Sequence, residues 1–491
     1  EWVPTLSING SFSTKEAGYR GVTVLSAESS LNYSNRVWRL ENFRVVRPEG
    51  ELRLALTSHE ETQEYRCRID GPIDPLAVRH LLDEDHQRAF EIVQFTKAPR
   101  LRGTVEGKWR DYDHLRFDLV VEAEDFVARD VPVQRLDTRA AYTNQILTLT
   151  DMAVKQGGKD LFAPRMRLDF ERDRIFFEEI KSALDPHRVA HIIGRQALEA
   201  IEPYRFTNLH QVSGSIGLSH GDEADLLFFI RGEGFRWEWY EADAVTAWLH
   251  WHGKAITVTN IQAQAYKGRM EGSAAFDFRT KGKSDYRFDL AFADLDAQTL
   301  LQSVNNTNQL EGLLSGQLNI ASADTRGLHT WNGSGEIRLR DGLIWKIPIF
   351  GIFSPMLDAL VPGLGKSRAR EASATFAITN GVAHSEDMEI RASTVRMQYR
   401  GTVDHEQRVD ARVEAEILRD MKVIGRVVSL ALSPLTKLFE FKVTGTVDQP
   451  KMEPLYIPKF LMAPLRPFHT IKQLFPEKSA ETPGDPVEKS Q

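Results

Sequence analysis

Two markers recur along the 491-residue chain at nearly one period, and this self-similarity limits the fold more than any other feature. The first is a turn dipeptide between apolar runs: Ser34-Asn35, Thr143-Asn144, His252-Gly253 and Asn380-Gly381. Their last residues lie 109, 109 and 128 positions apart. The second is an aspartate before a helix-like run, in Ile73-Asp74-Pro75, Leu184-Asp185-Pro186, Leu295-Asp296-Ala297 and Leu418-Arg419-Asp420. These aspartates are separated by 111, 111 and 124 positions. A fixed period of this kind marks copies of one supersecondary unit, which bury a shared apolar face only by lying side by side.

Each aspartate stands where a helix N-cap belongs, its carboxylate accepting from free N–H groups of the first turn. Pro75 and Pro186 then take the first helical position, where a missing N–H costs nothing. Leu76, His80 and Leu81 follow at helical spacing, as do Val189, Ile192 and Ile193.

Between the markers the chain alternates with period two. Phe117, Leu119, Val121 and Ala123 fall on one side of a strand, and Arg116, Asp118, Glu122 and Glu124 on the other. Phe288, Leu290 and Phe292 alternate with Arg287 and Asp289, and Ile337 and Leu339 with Glu336, Arg338 and Arg340. Val413, Ala415 and Ile417 alternate with Arg412, Glu414 and Glu416, and Phe235, Trp237 and Trp239 form an aromatic row. Such alternation builds antiparallel sheet with one apolar and one charged face. An α/β fold would need a helix after each strand and is excluded. The expected fold class is mainly β: a long, repetitive, twisted antiparallel sheet curled into an elongated groove. A few short helices cap or punctuate its repeats. At roughly six strands per unit the sheet is too long to stay flat. The expected divisions are β repeats at 1–100, 101–207 and 208–310, a C-terminal unit at 311–460, and a tail at 461–491. That tail is rich in Pro, Glu, Lys and Ser and is expected to be disordered.

Chemical motifs fail on spacing or partners. Pro362-Gly363-Leu364-Gly365-Lys366-Ser367 ends like a phosphate-binding loop, but Leu360 stands where the first glycine is required. His250 and His252 share a strand face, as metal ligands would, yet no third ligand has matching spacing. They read as exposed histidines at a strand end, and no metal, cofactor or catalytic residue is assigned. Asp83-Glu84-Asp85-His86 has no neighbouring nucleophile. The chain is expected not to be an enzyme. A net charge of -7 without a polybasic run argues against nucleic acid as a partner. Cys67 is the single cysteine, which excludes an internal disulfide framework. No run of 18 apolar residues is present, and the apolar stretch 343–364 is broken by Lys346, Pro348, Pro355, Asp358 and Pro362. Segments 349–364 and 423–438 are expected to cover the end of a sheet, and a membrane anchor is expected upstream of Glu1.

The last third carries recognisable detail. Leu310-Glu311-Gly312-Leu313-Leu314-Ser315-Gly316-Gln317-Leu318 leads to Trp331-Asn332-Gly333-Ser334-Gly335-Glu336-Ile337 and Leu339-Arg340-Asp341-Gly342-Leu343-Ile344. Then come Ile347-Pro348-Ile349-Phe350 and the hairpin Phe376-Ala377-Ile378-Thr379-Asn380-Gly381-Val382. This layout resembles the C-terminal region of AsmA-like proteins. The closing Glu440-Phe441-Lys442-Val443-Thr444-Gly445-Thr446-Val447-Asp448-Gln449-Pro450 is similar to the YhdP and TamB-type members, with Val447 where they usually carry Trp. The resemblance covers roughly residues 310–460.

The resemblance implies a non-enzymatic, periplasmic protein tethered to the inner membrane, offering a hydrophobic β-groove for phospholipid transport towards the outer membrane. Its implied partners are phospholipid acyl chains, the inner and outer membranes, and envelope proteins. The expected groove lining is Phe117, Leu119, Val121, Trp237, Phe288, Leu290, Phe292, Ile337, Leu339, Val413 and Ile417. A charge at Leu290 or Val413 is expected to lower lipid occupancy without unfolding the sheet. The alternative is an assembly factor that chaperones outer-membrane proteins by strand addition at an open sheet edge.

Overall fold

The computed structural model describes residues 6–19, 21–75, 93–193, 198, 202, 204–205, 211–217, 224–237, 240–303, 310–346, 348–355, 358, 369–392, 395–417 and 439–456. Among these the chain is mainly β, antiparallel, and arranged in two compact units, Glu1–Tyr286 and Arg287–Gln491.

The first unit is a meander. Its opening strands are β1 (Ile8–Tyr19), β2 (Val22–Ser34), β3 (Val37–Arg47), β4 (Gly50–His59) and β5 (Glu64–Pro72). After β6 (Val93–Phe95) come β7 (Arg100–Lys108), β8 (Asp111–Ala128), β9 (Val131–Thr143), β10 (Ile146–Gln156), β11 (Lys159–Asp169) and β12 (Arg174–Ser182). Helix α1 (Pro186–Ile193) and the short β13 (Tyr204–Arg205) precede β14 (Gln211–Gly217), β15 (Asp225–Trp237), β16 (Tyr240–His252), β17 (Ala255–Ala265) and β18 (Gly268–Asp277). The segments between these strands do not interrupt the sheet: β5 pairs directly with β7, and β12 with β14.

The second unit repeats the plan with β19 (Asp285–Asp296), α2 (Ala297–Ser303), β20 (Leu313–Asp324), β21 (Asn332–Gly342), β22 (Ala369–Thr379) and β23 (Val382–Arg391). It continues through β24 (Val395–Val403), β25 (Arg408–Ile417), β26 (Phe439–Thr446) and β27 (Pro450–Tyr456). Here β25 pairs directly with β26.

Two of the capping aspartates, Asp185 and Asp296, act as the sequence predicts. Asp185 accepts from the His187 N–H at 2.9 Å, and Asp296 from the Thr299 N–H at 2.8 Å. The turns fall one residue later than predicted in the first three repeats. Asn35-Arg36 and Asn144-Gln145 are the central pairs, each residue with positive φ, and Gly253 occupies the first central position of the third. A two-residue hairpin turn of this kind needs positive φ at its centre. Asn takes up that conformation readily, which leaves Ser34 to pair with Val37 as the last strand residue. The fourth turn is Asn380-Gly381, as predicted.

The backbone carries the period more faithfully than the side chains do. Positive φ recurs at Glu16, Asp125 and Gly234, and again at Asn42, Asp151 and Asn260, each position 109 residues after the last. The second set marks β-bulges, seen as register shifts between β2 and β3, β9 and β10, and β16 and β17. Opposite two of them a buried hydroxyl spans the irregularity: Ser29 donates to the Glu41 carbonyl and Thr138 to the Thr150 carbonyl, both at 3.1 Å. The kink at Asp125 also resets strand parity. Phe117, Leu119 and Ala123 are odd-numbered, whereas Phe126 and Ala128 are even, yet Ala123, Phe126 and Ala128 belong to one buried cluster. One irregular residue keeps the apolar side chains on a single face.

The second unit carries a packed core. Met397, Val413, Phe441 and Val443 are fully buried, and Phe353 is buried against them with Ile344 and the partly buried Phe350. Several predicted features lie outside the described residues: Leu76, His80 and Leu81, the Asp83–His86 cluster, Asp420, Trp239, the loop at 362–367, segment 423–438 and the tail.

Candidate functional site: the apolar face of the first unit

Cross-strand registers trace what the alternation builds. Starting at Phe43 in β3, successive partners are Leu54, Ile69, Gly103, Leu119, Ala140, Leu149 and Met166. The row continues through Phe177, Gly214, Leu226, Trp251 and Ile256 to Phe276 in β18. It crosses every strand from β3 to β18 except the short β6 and β13, and no member is charged. At about 4.8 Å per strand it extends roughly 60 Å along the sheet. Leu119, Ala140 and Leu226 are buried, whereas the others, including Phe43, Leu54, Met166 and Phe177, keep partial exposure.

A neighbouring row runs Leu40, Leu56, Cys67, Val105, Phe117 and Tyr142, all half-buried. Burial among these apolar neighbours pushes the Cys67 thiol up to about 11. Close approach matters within the face. A Cβ on Gly103 would lie 2.0 Å from the Asp118 carbonyl oxygen, and one on Gly214 would lie 2.2 Å from that of Asp225. Glycine at these points lets adjacent strands meet.

The opposite face is a lattice of ion pairs. Asp118 receives two bonds from Arg139 at 2.6 and 2.7 Å, Glu106 pairs with Arg66 at 2.5 Å, and Asp70 with Arg100 at 2.8 Å. Glu51 pairs with Arg44 at 2.5 Å and Arg53 at 3.1 Å. The guanidinium of Arg139 holds the Asp118 carboxyl below its ordinary range, and that of Arg44 does the same for Glu51. Each exposed pair stabilises little. Together they fix register and keep this face wet. Two buried carboxylates elsewhere are turn caps: Asp169 accepts from the Arg172 N–H and Asp324 from the Arg326 N–H.

The predicted lining residues meet different fates. Phe117, Leu119 and Val121 share the apolar face of β8, with Phe117 stacked on Tyr142 at 5.4 Å. Trp237 pairs in register with Tyr240, but its side chain lies outside the described residues, as does that of Ile417. Phe288, Leu290 and Phe292 are half-buried in β19, Phe288 edge-on to Trp331 at 5.7 Å. Ile337 is exposed, whereas Leu339 and Val413 lie in the packed core of the second unit. There Ile344, Phe350 and Phe353 pack over the sheet, and Phe353 meets Phe441 at 5.5 Å and Tyr399 at 6.1 Å. Val413 therefore touches protein on all sides. A charge there would unfold its surroundings rather than test a groove, which corrects the expectation drawn from alternation alone.

Sequence reasoning missed the continuity of the long row and the place of Cys67 beside it. A signal of the repeat behind the first was available in the 109-residue recurrence of the turn dipeptides. Compared with known protein families the chain matches none, and compared with curated proteins it likewise matches none.

Proposed function

We propose that the first unit offers a passive hydrophobic groove to phospholipid acyl chains, in a non-enzymatic protein that moves lipid between inner and outer membranes from a periplasmic position. The observation that carries this reading is the uncharged, partly exposed row from Phe43 to Phe276. Its supporting contrast is the second unit, where the equivalent apolar surface is filled by Phe353 and its neighbours. The resemblance of residues 310–460 to AsmA-like proteins points the same way.

The energetics favour such a ligand. Each buried methylene contributes about 0.8 kcal/mol, so ten of them supply roughly 8 kcal/mol, a micromolar affinity before ordering costs. No specific polar contact is required, only a continuous apolar wall. The test is lipid extraction and mass spectrometry of the purified full chain and of Val105→Lys and Met166→Lys, two half-buried positions on the apolar rows of the first unit. Lipid content falls in both variants while circular dichroism is retained. Unchanged lipid content in both would end the proposal.

A second reading, strand addition to client proteins, draws on β1. Among the described residues it pairs on one side only, with β2, and exposes Ile8 and Phe12. Photo-crosslinkers placed in β1 and in β7 separate the two readings. Adducts of nascent barrels on β1 favour strand addition, and lipid adducts on β7 favour the groove.

A further inference from the structure

We propose that Asp225, His250 and His252 form a site for one divalent transition-metal ion of the zinc class, on the charged face beside the β16–β17 turn. The sequence offered the two histidines without a third ligand. The fold supplies it from 25 residues upstream, because the antiparallel register sets Asp225 directly opposite His252, with His250 its diagonal neighbour on the same face.

The geometry is close to a coordination sphere. His250 Nε2 lies 2.8 Å and His252 Nδ1 3.6 Å from the same oxygen, Asp225 Oδ1. The three ligand atoms all lie within 4.8 Å of one another. Zinc–ligand bonds of about 2.0–2.2 Å in a tetrahedron place donor atoms roughly 3.3 Å apart, so the side chains need shifts of about an ångström. All three are exposed and free to make them. The fourth position is left to water.

The backbone beneath the site is held from both sides. The Gly253 N–H donates to the Ala224 carbonyl at 2.7 Å, and Trp251, pointing to the apolar face, donates through Nε1 to the Gly253 carbonyl at 2.7 Å. Ligand spacing is thus set by strands rather than by a loop. Two imidazoles and one carboxylate suit Zn2+, Ni2+ or Cu2+, whereas Mg2+ and Ca2+ prefer all-oxygen sets. Bound metal would pin β15 to β16 and stiffen this end of the hairpin. The site lies on the face opposite the apolar row and is independent of what fills that row.

The test titrates the metal-free full chain with Zn2+ against a chromophoric chelator. Wild type takes up one saturable equivalent. Asp225→Asn weakens it at least about tenfold, a change of roughly 1.4 kcal/mol. The double variant His250→Ala/His252→Ala abolishes it. His114→Ala, which removes an exposed histidine paired with Asp111, leaves it unchanged. Co2+ in place of Zn2+ gives four-coordinate visible absorption in wild type and none in the double variant. Absence of a saturable equivalent in wild type overturns the proposal. So does a double variant, or an Asp225→Asn variant, that binds as wild type does.

Discussion

Phe353→Ala distinguishes an apolar surface filled by protein from one left partly open. Phe353 is 0% exposed and lies edge-on to both Tyr399 and Phe441, with Val413, Met397 and Ile390 in the same cluster. Removing a buried Phe ring costs about 3–5 kcal/mol, and each aromatic pair adds about 0.5–1.5 kcal/mol beyond its area. A value near 4 kcal/mol is expected. Phe117→Ala removes the same atoms from a half-buried position with one stacking partner and should cost about 1.5 kcal/mol. Because the chain has two compact units, a single global unfolding curve detects a loss of stability without assigning it to one of them. Native-state hydrogen exchange reads each unit separately. Amides of β24 to β26 should exchange on the order of a thousandfold faster in Phe353→Ala, and those of β8 and β9 about tenfold faster in Phe117→Ala. Equal effects from the two substitutions would refute the distinction between a closed core and an open face.

Gly103→Ala forces a Cβ to within 2.0 Å of a backbone oxygen, so it should destabilise the first unit by about 1–3 kcal/mol. An unchanged melting temperature would contradict that reading. The ladder carboxylates Asp118 and Glu51 are held below their ordinary values of 3.8 and 4.5 by hydrogen bonds from Arg139 and Arg44, and Asp277 is lowered to about 2 by Arg279. Because the folded values are the lower ones, their contribution is complete above the ordinary range. It is lost as pH falls from near 4 towards 2. Melting curves across that window should show a small acid loss that high salt reduces, and a gain on acidification would contradict it. The Cys67 thiol, pushed up to about 11, should alkylate far more slowly at neutral pH than a free thiol, with the rate still rising towards pH 11. Rapid labelling at neutral pH would place it outside the apolar row.

The strands and their two faces were legible because period-two alternation is a local property: Phe117, Leu119 and Val121 predict their common face without knowledge of any partner. Helix caps at Asp185 and Asp296 were legible for the same reason. Bulges were harder. At Asp125 and Asp151 a single residue adopts positive φ, and nothing in a short window distinguishes that from a regular strand position. Cross-strand chemistry was harder still, since Asp225 meets His250 and His252 through a register set by the whole β15–β16 hairpin. What covers each apolar face could not be read from alternation. Val413 and Phe117 sit in similar patterns, yet one is closed over by Phe353 and the other is half-exposed.

The most direct test of the groove uses a phospholipid carrying a photoreactive group at the end of one acyl chain. The full chain is irradiated with it in detergent-free buffer, and the adducts are mapped by mass spectrometry. The account predicts adducts along the apolar rows, at residues such as Leu56, Cys67, Val105 and Phe117, and none at their outward neighbours Arg66, Glu106 and Asp118. Adducts spread equally over both faces, or confined to the second unit, would contradict it.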